Sequence, residues 1–440
     1  MLFTGKSFAR LFLFGLQALS VMHLTSCSVS KKIGKQAEQK VVDKQELTTA
    51  HVGIALYDVQ SGKFLYKHNS DKYFIPASNT KLLTCYAAMK YLGDSIEAAK
   101  VIDTDTALLV EAAGDPTFLH PDFKTHPLLE VLKSANKKIV INTAKWNEIV
   151  LGAGWSWDDY SDDYMVERSA FPLHGNFVTF SIQGNQLAAQ PVLPDNNIIR
   201  NASLLQDSFS IKRDRTANTF YVSPGRSKKV DVPFVVNGIN TAVNILRTNY
   251  QLNVSSSSAQ LNTNAGHVIY SQPVDSLLKN MMYRSDNFYA DQTLLMVANK
   301  RLGIMNQEAI VDTLLHSDLK NLPQPPQWVD GSGLSRFTLV SPEDFVVLLR
   351  KMHNEVDWKR ITAILPTGGS GTLGTYYKTL NGKIYAKTGS LSNNLALSGY
   401  LITHKNKLLI FSVLINNHMG NVRAIRKDVE AFLTGVAEMY

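Results

Sequence analysis

The sequence predicts an α+β fold in which helices cover an antiparallel sheet and a β-rich region is inserted into the chain. Three observations predict this fold: a hairpin and a helix near the start, three strands and a helix at the end, and short strand-like pieces between them. A hairpin that joined the last three strands would close one sheet from both ends of the chain. We therefore expect the first and last parts of the sequence to form one domain, which the middle part interrupts.

A change in periodicity marks the first hairpin and the first helix. Apolar residues alternate over 52–56, a turn containing Gly62 follows, and a second alternating run starts at Phe64, which is typical of two paired strands. A helical pattern then begins at Ser78 and continues to Gly93. The order near the start is therefore hairpin, then helix.

The C-terminal part mirrors this arrangement. Three apolar segments, Ile384–Ser390, Leu395–Thr403 and Leu408–Asn416, predict strands joined by short turns. An amphipathic pattern predicts a final helix from about Gly420 to Met439. These strands are the expected partners of the first hairpin.

The middle of the chain differs from both ends in its pattern. It contains short strand-like pieces at Ala107–Glu111, Lys138–Ile141, Phe177–Ile182, Thr219–Val222 and Val230–Val235. The run Ser255–Ser258 has the composition of a turn or linker and marks the return to the first domain. We expect one or more inserted β-rich domains at 97–267, between the two parts of a catalytic domain at 50–96 and 268–440.

Composition excludes several classes of protein. With 440 residues, 45% of them hydrophobic and 19% charged, the chain is too apolar for a disordered protein and too poor in cysteine, with two, for a disulfide scaffold. The formal net charge of +8 is spread along the chain, so we expect no nucleic-acid partner. The eleven histidines show no His-x-x-x-His spacing and there is no Cys-x-x-Cys, so we expect no metal site.

The amino terminus has the features of a targeting segment. Lys6 and Arg10 precede an apolar run that ends in small residues before Cys27, which predicts a signal peptide over 1–26. The sequence Leu-Thr-Ser-Cys resembles the bacterial lipobox, so Cys27 is the expected lipid attachment point and 27–49 the expected tether. The alternative is an ordinary signal peptide in which Cys27 has no role. If Cys27 carries a lipid, Cys85 has no disulfide partner.

The first candidate motif is Ser78-Asn79-Thr80-Lys81, at the start of the predicted helix. Residues three apart on a helix share a face, so the amine of Lys81 can reach the hydroxyl of Ser78. A serine nucleophile needs a nearby base, and a lysine can serve when its pKa is lowered by burial or by a neighbouring cation such as Lys387. The alternative is that Ser78 only caps the helix and Lys81 is solvated.

Ser285-Asp286-Asn287 is the second candidate motif, at the end of a helical segment. A second serine, Ser285, can relay a proton, while the amide of Asn287 can hold Lys81 and bind a substrate carbonyl. A capping Ser-Asp pair is the alternative interpretation.

Lys387-Thr388-Gly389-Ser390 is the third motif and ends a predicted strand. Lys387 and Thr388 offer a cation and a hydroxyl to a carboxylate, and Gly389 lets an extended peptide lie close to the backbone. The alternative is a basic strand end without a ligand.

Together and in this order, the three motifs are the signature of serine β-lactamases and penicillin-binding proteins. The chain resembles the low-molecular-mass penicillin-binding proteins of the class C type, which act as D-alanyl-D-alanine carboxypeptidases and endopeptidases and carry inserted domains. The stretch between Lys81 and Ser285 is about twice as long as that between Asn287 and Lys387, as such an insertion requires. Other segments fit the same resemblance: Gly114–Thr117, Gly154–Asp159, Asp330–Arg336 and Leu391–Tyr400.

This resemblance implies acyl transfer from a peptidoglycan stem peptide to Ser78, with Lys81 as the base. Backbone N–H groups of Ser78 and Ser390 would hold the oxyanion, and Ser285 would pass the proton to the leaving D-alanine. The expected partners are stem peptides and β-lactam inhibitors, and no cofactor is expected. The expected location is the periplasmic side of a bacterial membrane, through a lipid on Cys27.

Two acidic residues of the insertion are further candidates for substrate binding. The resemblance suggests that Asp158 and Asp159 meet the amino group of a diamino acid in the stem peptide. The alternative is that Trp157 anchors the loop and both acids are solvated. Arg336 is interpreted as structural, because it follows a turn and would fix the loop near the site.

Two other functions remain open on the sequence alone. One is a β-lactamase or esterase on the same fold, although we find no Glu-x-x-Leu-Asn element to place a deacylating water as in class A β-lactamases. The other is a lipid-anchored, non-catalytic cell-wall binding protein with a vestigial site, against which the three intact motifs argue.

Overall fold

The computed structural model describes residues 29–183, 186–200, 208–261 and 266–440, so the predicted signal peptide and Cys27 lie outside the described residues. The strands are β1 His51–Asp58, β2 Lys63–His68, β3 Ser95–Asp103, β4 Ala107–Ala112, β5 Lys138–Asn142, β6 Phe177–Gln183, β7 Gln186–Gln190, β8 Ile198–Arg200, β9 Phe209–Arg213, β10 Phe220–Pro224, β11 Lys229–Pro233, β12 Val254–Ser257, β13 His267–Pro273, β14 Ile384–Leu391, β15 Asn394–Ile402 and β16 Leu408–Asn416. The helices are α1 29–37, α2 Lys81–Tyr91, α3 Pro127–Ser134, α4 Asn240–Tyr250, α5 Val274–Arg284, α6 Asn287–Leu302, α7 Gln307–His316, α8 Pro342–Glu355, α9 Trp358–Ile364 and α10 Val422–Met439.

The central sheet is antiparallel, with the strand order β14-β15-β16-β1-β2. Strand β1 pairs with β16 along its whole length, from His51 opposite Asn416 to Asp58 opposite Leu409. The prediction that the first hairpin joins the last three strands is therefore confirmed.

Helices cover both faces of this sheet. Ile54 and Leu56 of β1 face a core that contains α1 and α10, whereas Ala55 and Tyr57 face a core built from α2 and α5 to α9. Both faces of β1 are buried for this reason, although the alternating sequence pattern alone is also compatible with one solvated face. The α+β fold class is confirmed.

A separate set of sheets lies between β2 and α5 in the chain. One has the order β12-β5-β4-β3-β13, and two three-stranded sheets have the orders β8-β10-β9 and β11-β6-β7. Their buried side chains form a hydrophobic cluster of their own, joined by Leu295 of α6 and by Met305. This is the β-rich insertion that the sequence predicts, although it also contains α3 and α4.

The serine run forms a strand and not the predicted turn or linker. Ser255–Ser258 is predicted as a turn or linker, but β12 extends through Ser257 and pairs in parallel with β5, with Ser256 opposite Ile141. The hydrogen bonds of β5 and the fully buried Val254 outweigh the low strand propensity of serine.

The segment expected to be a tether differs from that expectation. Residues 29–37 are α-helical and Glu38–Val42 form a π-helical turn. Ile33, Ala37 and Val41 are fully buried in the α10 core, and Lys44 forms a 2.9 Å ion pair with Asp428. The segment packs as a helix because an apolar residue stands at every fourth position, on one helix face. The lysines around these residues make the overall composition polar, so composition alone does not predict the helix.

Candidate active site

The first motif forms a tight turn on the central sheet. Ser78 lies in the 3-10 turn Ala77–Thr80, which runs directly into α2 and its first residue, Lys81. The Nζ atom of Lys81 is 2.9 Å from Ser78 Oγ. It also donates to Asn287 Oδ1 at 2.6 Å and to the carbonyl of Ser332 at 2.8 Å. Lys81 is fully buried, so the alternative of a solvated lysine is wrong.

Close packing against two glycines fixes the position of this turn. A Cβ on Gly389 of β14 would lie 2.6 Å from the Pro76 carbonyl oxygen, and a Cβ on Gly333 would lie 1.9 Å from that of Ala77. Neither position can carry a side chain without displacing the Ser78 turn.

The second motif joins two helices. α5 ends at Arg284, and Ser285 follows in the left-handed conformation with φ of 61°. Asp286 then caps α6 by accepting from Tyr289 N at 2.9 Å. The capping interpretation therefore holds for Asp286, and it is compatible with the proposed roles of its two neighbours.

The amide of Asn287 has a defined orientation. Its Nδ2 donates to the carbonyl of Tyr164 at 2.9 Å, so its Oδ1 is left to face Lys81. Tyr164 belongs to the inserted region, which thus contacts the second motif directly.

A carboxylate of the insertion also holds the second motif from its outer side. Asp122 accepts from Arg284 Nη1 at 2.7 Å, from Tyr289 OH at 2.8 Å and from Asn280 Nδ2 at 3.2 Å. Arg284 directly precedes Ser285, and Tyr289 lies two residues after Asn287. We call Asp122 with its three donors the Asp122 cluster. Nothing in the sequence around Asp122 signals this contact.

The third motif lies on β14, at the edge of the central sheet. Lys387 is fully buried, and its Nζ is 2.8 Å from Ser285 Oγ and donates to the Thr388 carbonyl at 2.7 Å. The structure therefore brings all three motifs together.

The backbone of β14 also faces the open edge. Ala386 N donates to Pro366 O at 3.0 Å, away from β15. Because alternate residues of a strand point their N–H groups to the same side, those of Thr388 and Ser390 also face this edge.

Burial dominates the electrostatics of the two lysines. Burial lowers the pKa of Lys81 to about 8, against the opposing charges of Asp291, Asp330 and Asp286. Burial, and then the charge of Lys81, lowers the pKa of Lys387 well below its usual range. Of the two causes expected for the lowered pKa of Lys81, burial and a neighbouring cation, burial is therefore the one that dominates.

A buried loop supports the base from behind. Asp330 accepts from Gly333 N at 2.7 Å, from Ser335 N at 2.6 Å and from Trp155 Nε1 at 2.9 Å. These bonds hold the Ser332 carbonyl against Lys81. On the sequence alone, this loop appears only as part of the resemblance. Its contact with Lys81 is not predicted, because every residue type has a backbone carbonyl.

The two acids proposed from the resemblance lie at the rim. Asp158 is exposed and Asp159 half-buried, in the 3-10 turn Trp157–Asp159. Burial, together with the charges of Asp162 and Asp159, raises the pKa of Tyr164, so Asp159 lies near the residue that contacts Asn287. Within the described ranges, no hydrogen bond or ion pair joins either acid to the three motifs. Their role in binding stays a prediction.

Two arginines lie near the end of β14. Arg336 is exposed and donates to the Ser392 carbonyl at 3.4 Å. Arg426 of α10 donates to Ser390 Oγ at 2.7 Å, a contact that no sequence motif indicates. Within the described part of the chain, no group of three or more His, Cys, Asp and Glu side chains is arranged to hold a metal ion.

Comparison with known proteins gives matches over most of the chain. The D-alanyl-D-alanine carboxypeptidase DacB of Haemophilus influenzae is 23% identical over 420 residues, covering 84% of this chain and 86% of the relative. The D-alanyl-D-alanine carboxypeptidase of Actinomadura sp. (strain R39) is also 23% identical, over 436 residues, covering 86% of this chain and 80% of the relative.

A solved structure shares the fold. Penicillin binding protein 4 (dacB) from Haemophilus influenzae superimposes with a TM-score of 0.69 at 20% identity, covering 89% of this chain and 97% of that one. The same protein in complex with a novel β-lactam gives a TM-score of 0.63 at 19% identity, with the same coverage.

A family model described as the D-Ala-D-Ala carboxypeptidase 3 (S13) family matches residues 34–436. The chain therefore belongs to the D-Ala-D-Ala carboxypeptidase 3 (S13) family, which confirms the resemblance inferred from the three motifs.

Proposed function

We propose that this protein is a serine-type D-Ala-D-Ala carboxypeptidase that acts on peptidoglycan stem peptides through an acyl-enzyme on Ser78. Family membership and the names of the relatives support the reaction. The observation that carries the proposal is the environment of the Lys81 amine, which is surrounded by two carbonyl oxygens and one hydroxyl.

This environment suits a neutral amine. A neutral lysine has two N–H groups and one lone pair. The carbonyl oxygens of Asn287 and Ser332 accept both N–H groups, so the lone pair is left to face Ser78 Oγ at 2.9 Å. In this arrangement Lys81 accepts the hydroxyl proton as the general base, and the lowered pKa keeps a useful fraction of it neutral near pH 7.

The chemical step follows from this geometry. Ser78 Oγ bonds to the carbonyl carbon of the penultimate D-alanine while its proton passes to Lys81. Collapse of the tetrahedral intermediate breaks the C–N bond, and the proton held by Lys81 passes through Ser285 to the leaving amine. Water then attacks the ester, and the acid product leaves with Ser78 restored. The N–H groups of Ser78 and Ser390 are the proposed oxyanion donors, since that of Ser390 faces the open edge of β14.

Substrate binding is proposed along the same edge. An extended stem peptide adds to β14 as a further strand, where Gly389 leaves room for its backbone. Lys387, Thr388 and Ser390 bind the terminal carboxylate, and Asn287 orients the peptide. The same chemistry would cleave a D-alanyl cross-link, so endopeptidase activity is included in the proposal. Asp158 and Asp159 are the proposed contacts for the side chain of the diamino acid.

The domain boundaries are proposed where the chain leaves and re-enters the catalytic part. Val274 N donates to Asp94 O at 2.9 Å, so the two junctions lie side by side. The paired strands β3 and β13 follow and precede these junctions and belong to the insertion. These contacts support boundaries within about six residues of the predicted division at 97 and 267.

Export and anchoring are likewise proposed. The signal pattern over 1–26 and the Leu-Thr-Ser-Cys sequence support cleavage before Cys27 and its lipidation, and the proposed substrate lies outside the cytoplasm. Over the described residues, no helix is both long and apolar enough to cross a membrane.

The test is covalent labelling with a fluorescent penicillin, combined with an assay for released D-alanine. We expect labelling and D-alanine release by the wild type, and loss of both in Ser78→Ala. Ser258→Ala, which replaces an exposed serine outside the site, should behave as the wild type. Equal labelling of Ser78→Ala would refute the proposal. Fast β-lactam hydrolysis without D-alanine release would instead favour a β-lactamase.

A further inference from the structure

Arg426 lies beside the proposed carboxylate site without belonging to any of the three motifs. It projects from α10 and donates through Nη2 to Ser390 Oγ at 2.7 Å. Its guanidinium carbon is 5.9 Å from the ring centre of Tyr376, and the side chain is half-buried. Among the described residues, no carboxylate forms an ion pair with it.

The cations of the motifs are already engaged. Lys387 is fully buried and contacts Ser285 Oγ and the Thr388 carbonyl, so two of its three N–H positions are used within the protein. Lys81 is surrounded by Ser78, Asn287 and Ser332. A carboxylate bound at the end of β14 therefore lacks a cation with several free donors.

Arg426 has the chemistry that this position lacks. A guanidinium stays protonated throughout the physiological range and carries five N–H donors, of which the contact with Ser390 uses one. Arg426 also lines a mainly apolar cavity together with Thr388 and Gly389, with Leu395, Leu397 and Val429 among the other walls. Low polarity around a charge strengthens its electrostatic interactions.

We propose that Arg426 is the fixed positive charge of the carboxylate subsite, so that selectivity for a free C-terminal carboxylate depends on the last helix of the chain. This inference rests on the proposed function. Arg426 is a positioning residue, which orients the Ser390 hydroxyl toward the carboxylate and supplies charge beside it. The reacting atoms lie around Ser78, so the effect is expected on substrate binding rather than on the chemical step.

The experiment pairs two enzymes with two substrates. One peptide ends in L-Lys-D-Ala-D-Ala, and the other is the same peptide with a C-terminal amide in place of the carboxylate. With the acid substrate, we expect Arg426→Gln to raise KM about tenfold and to leave kcat within about twofold, as for the loss of a hydrogen-bonded charge. With the amide substrate, wild type and Arg426→Gln should have the same kcat/KM within about twofold.

Two further variants control for folding and net charge. Arg426→Lys keeps the charge and should recover part of the KM. Lys427→Gln removes one positive charge from the adjacent exposed position and should leave KM unchanged. Thermal denaturation of each variant checks that the fold is kept.

Two results would overturn the inference. One is an equal loss of kcat/KM for acid and amide substrates in Arg426→Gln, which indicates a structural role. The other is an unchanged KM for the acid substrate. Failure of the proposed function has a different signature, because the wild type itself would then release no D-alanine and take no penicillin label.

Discussion

The two serine-bearing turns of the site are held in place by different parts of the molecule. The Ser78 turn packs on the central sheet and on buried loops of the catalytic part, through close contacts with Gly389 and Gly333. The Ser285 turn contacts the central sheet through Lys387, and the insertion also holds it, through the Asp122 cluster and the carbonyl of Tyr164.

The difference assigns a role to the insertion. The Ser78 turn rests mainly on the central sheet and on the loop of Asp330, to which Trp155 of the insertion donates one hydrogen bond. The Ser285 turn receives more of its contacts from the insertion, through Asp122 and Tyr164. Changes at Asp122 should therefore affect proton transfer while leaving the Ser78 turn in place.

The largest expected effect comes from removing the base of the Ser78 turn. Lys81→Ala should lower the rate of acylation by penicillin by about 10³-fold, because general-base catalysis contributes roughly 10²- to 10⁴-fold. Stopped-flow fluorescence with a labelled penicillin measures this rate. Lys72→Ala, at an exposed position, is the control, and an Lys81→Ala enzyme within tenfold of the wild type would contradict the assignment.

Acid should lower the activity by protonating Lys81, the base of the Ser78 turn. With the pKa of Lys81 lowered to about 8, its neutral fraction falls about tenfold for each pH unit below that value. We expect kcat/KM to drop about 50-fold from pH 8 to pH 6, and to rise only about twofold more above pH 8. We expect Asp122→Asn to show the same pH profile as the wild type. A flat profile in the wild type would argue against Lys81 as the base.

The packing of the Ser78 turn is tested by Gly389→Ala. The added Cβ would lie 2.6 Å from the Pro76 carbonyl oxygen, so the Ser78 turn has to shift. If the return of Ser78 to its reactive position costs about 2 kcal/mol, D-alanine release falls roughly thirtyfold. Gly34→Ala in α1, whose Cβ would meet the Tyr66 ring at an ordinary 3.4 Å, should be neutral. D-Alanine release measures both, and equal activities would show that the close contact is unimportant.

The smallest expected effect is at the Asp122 cluster. Asp122→Asn removes the charge that Arg284 and Tyr289 share, at a cost of about 1 kcal/mol, so kcat should fall about fivefold with KM nearly unchanged. Asp105→Asn, at an exposed acid elsewhere in the insertion, should leave both constants unchanged. A rise in KM with constant kcat would place Asp122 in substrate binding instead.

Residue type and periodicity predict the central sheet and the contact between Lys81 and Ser78, whereas the grouping of the three motifs in one site follows from the resemblance. Strand β16 has the predicted bounds, and Lys81 reaches Ser78 as the helical spacing requires. The missed parts depend on other information. The Ser332 carbonyl belongs to the backbone, and Asp122 and Arg426 act only through contacts between segments far apart in sequence.

The N-terminal helix α1 is another part of the structure that amino-acid composition does not predict. Its lysines suggest a solvated linker, while the fully buried Ile33, Ala37 and Val41 hold it on α10. A strand-forming serine run is a second example, because pairing with β5 decides the conformation of Ser256.

The docked helix α1 has a consequence for reach. If Cys27 carries a lipid, only residue 28 separates it from the described helix, and two residues span at most about 7 Å. The enzyme would then lie directly against the bilayer, with the end of α1 facing the lipid, and would not be separated from it by a long flexible linker.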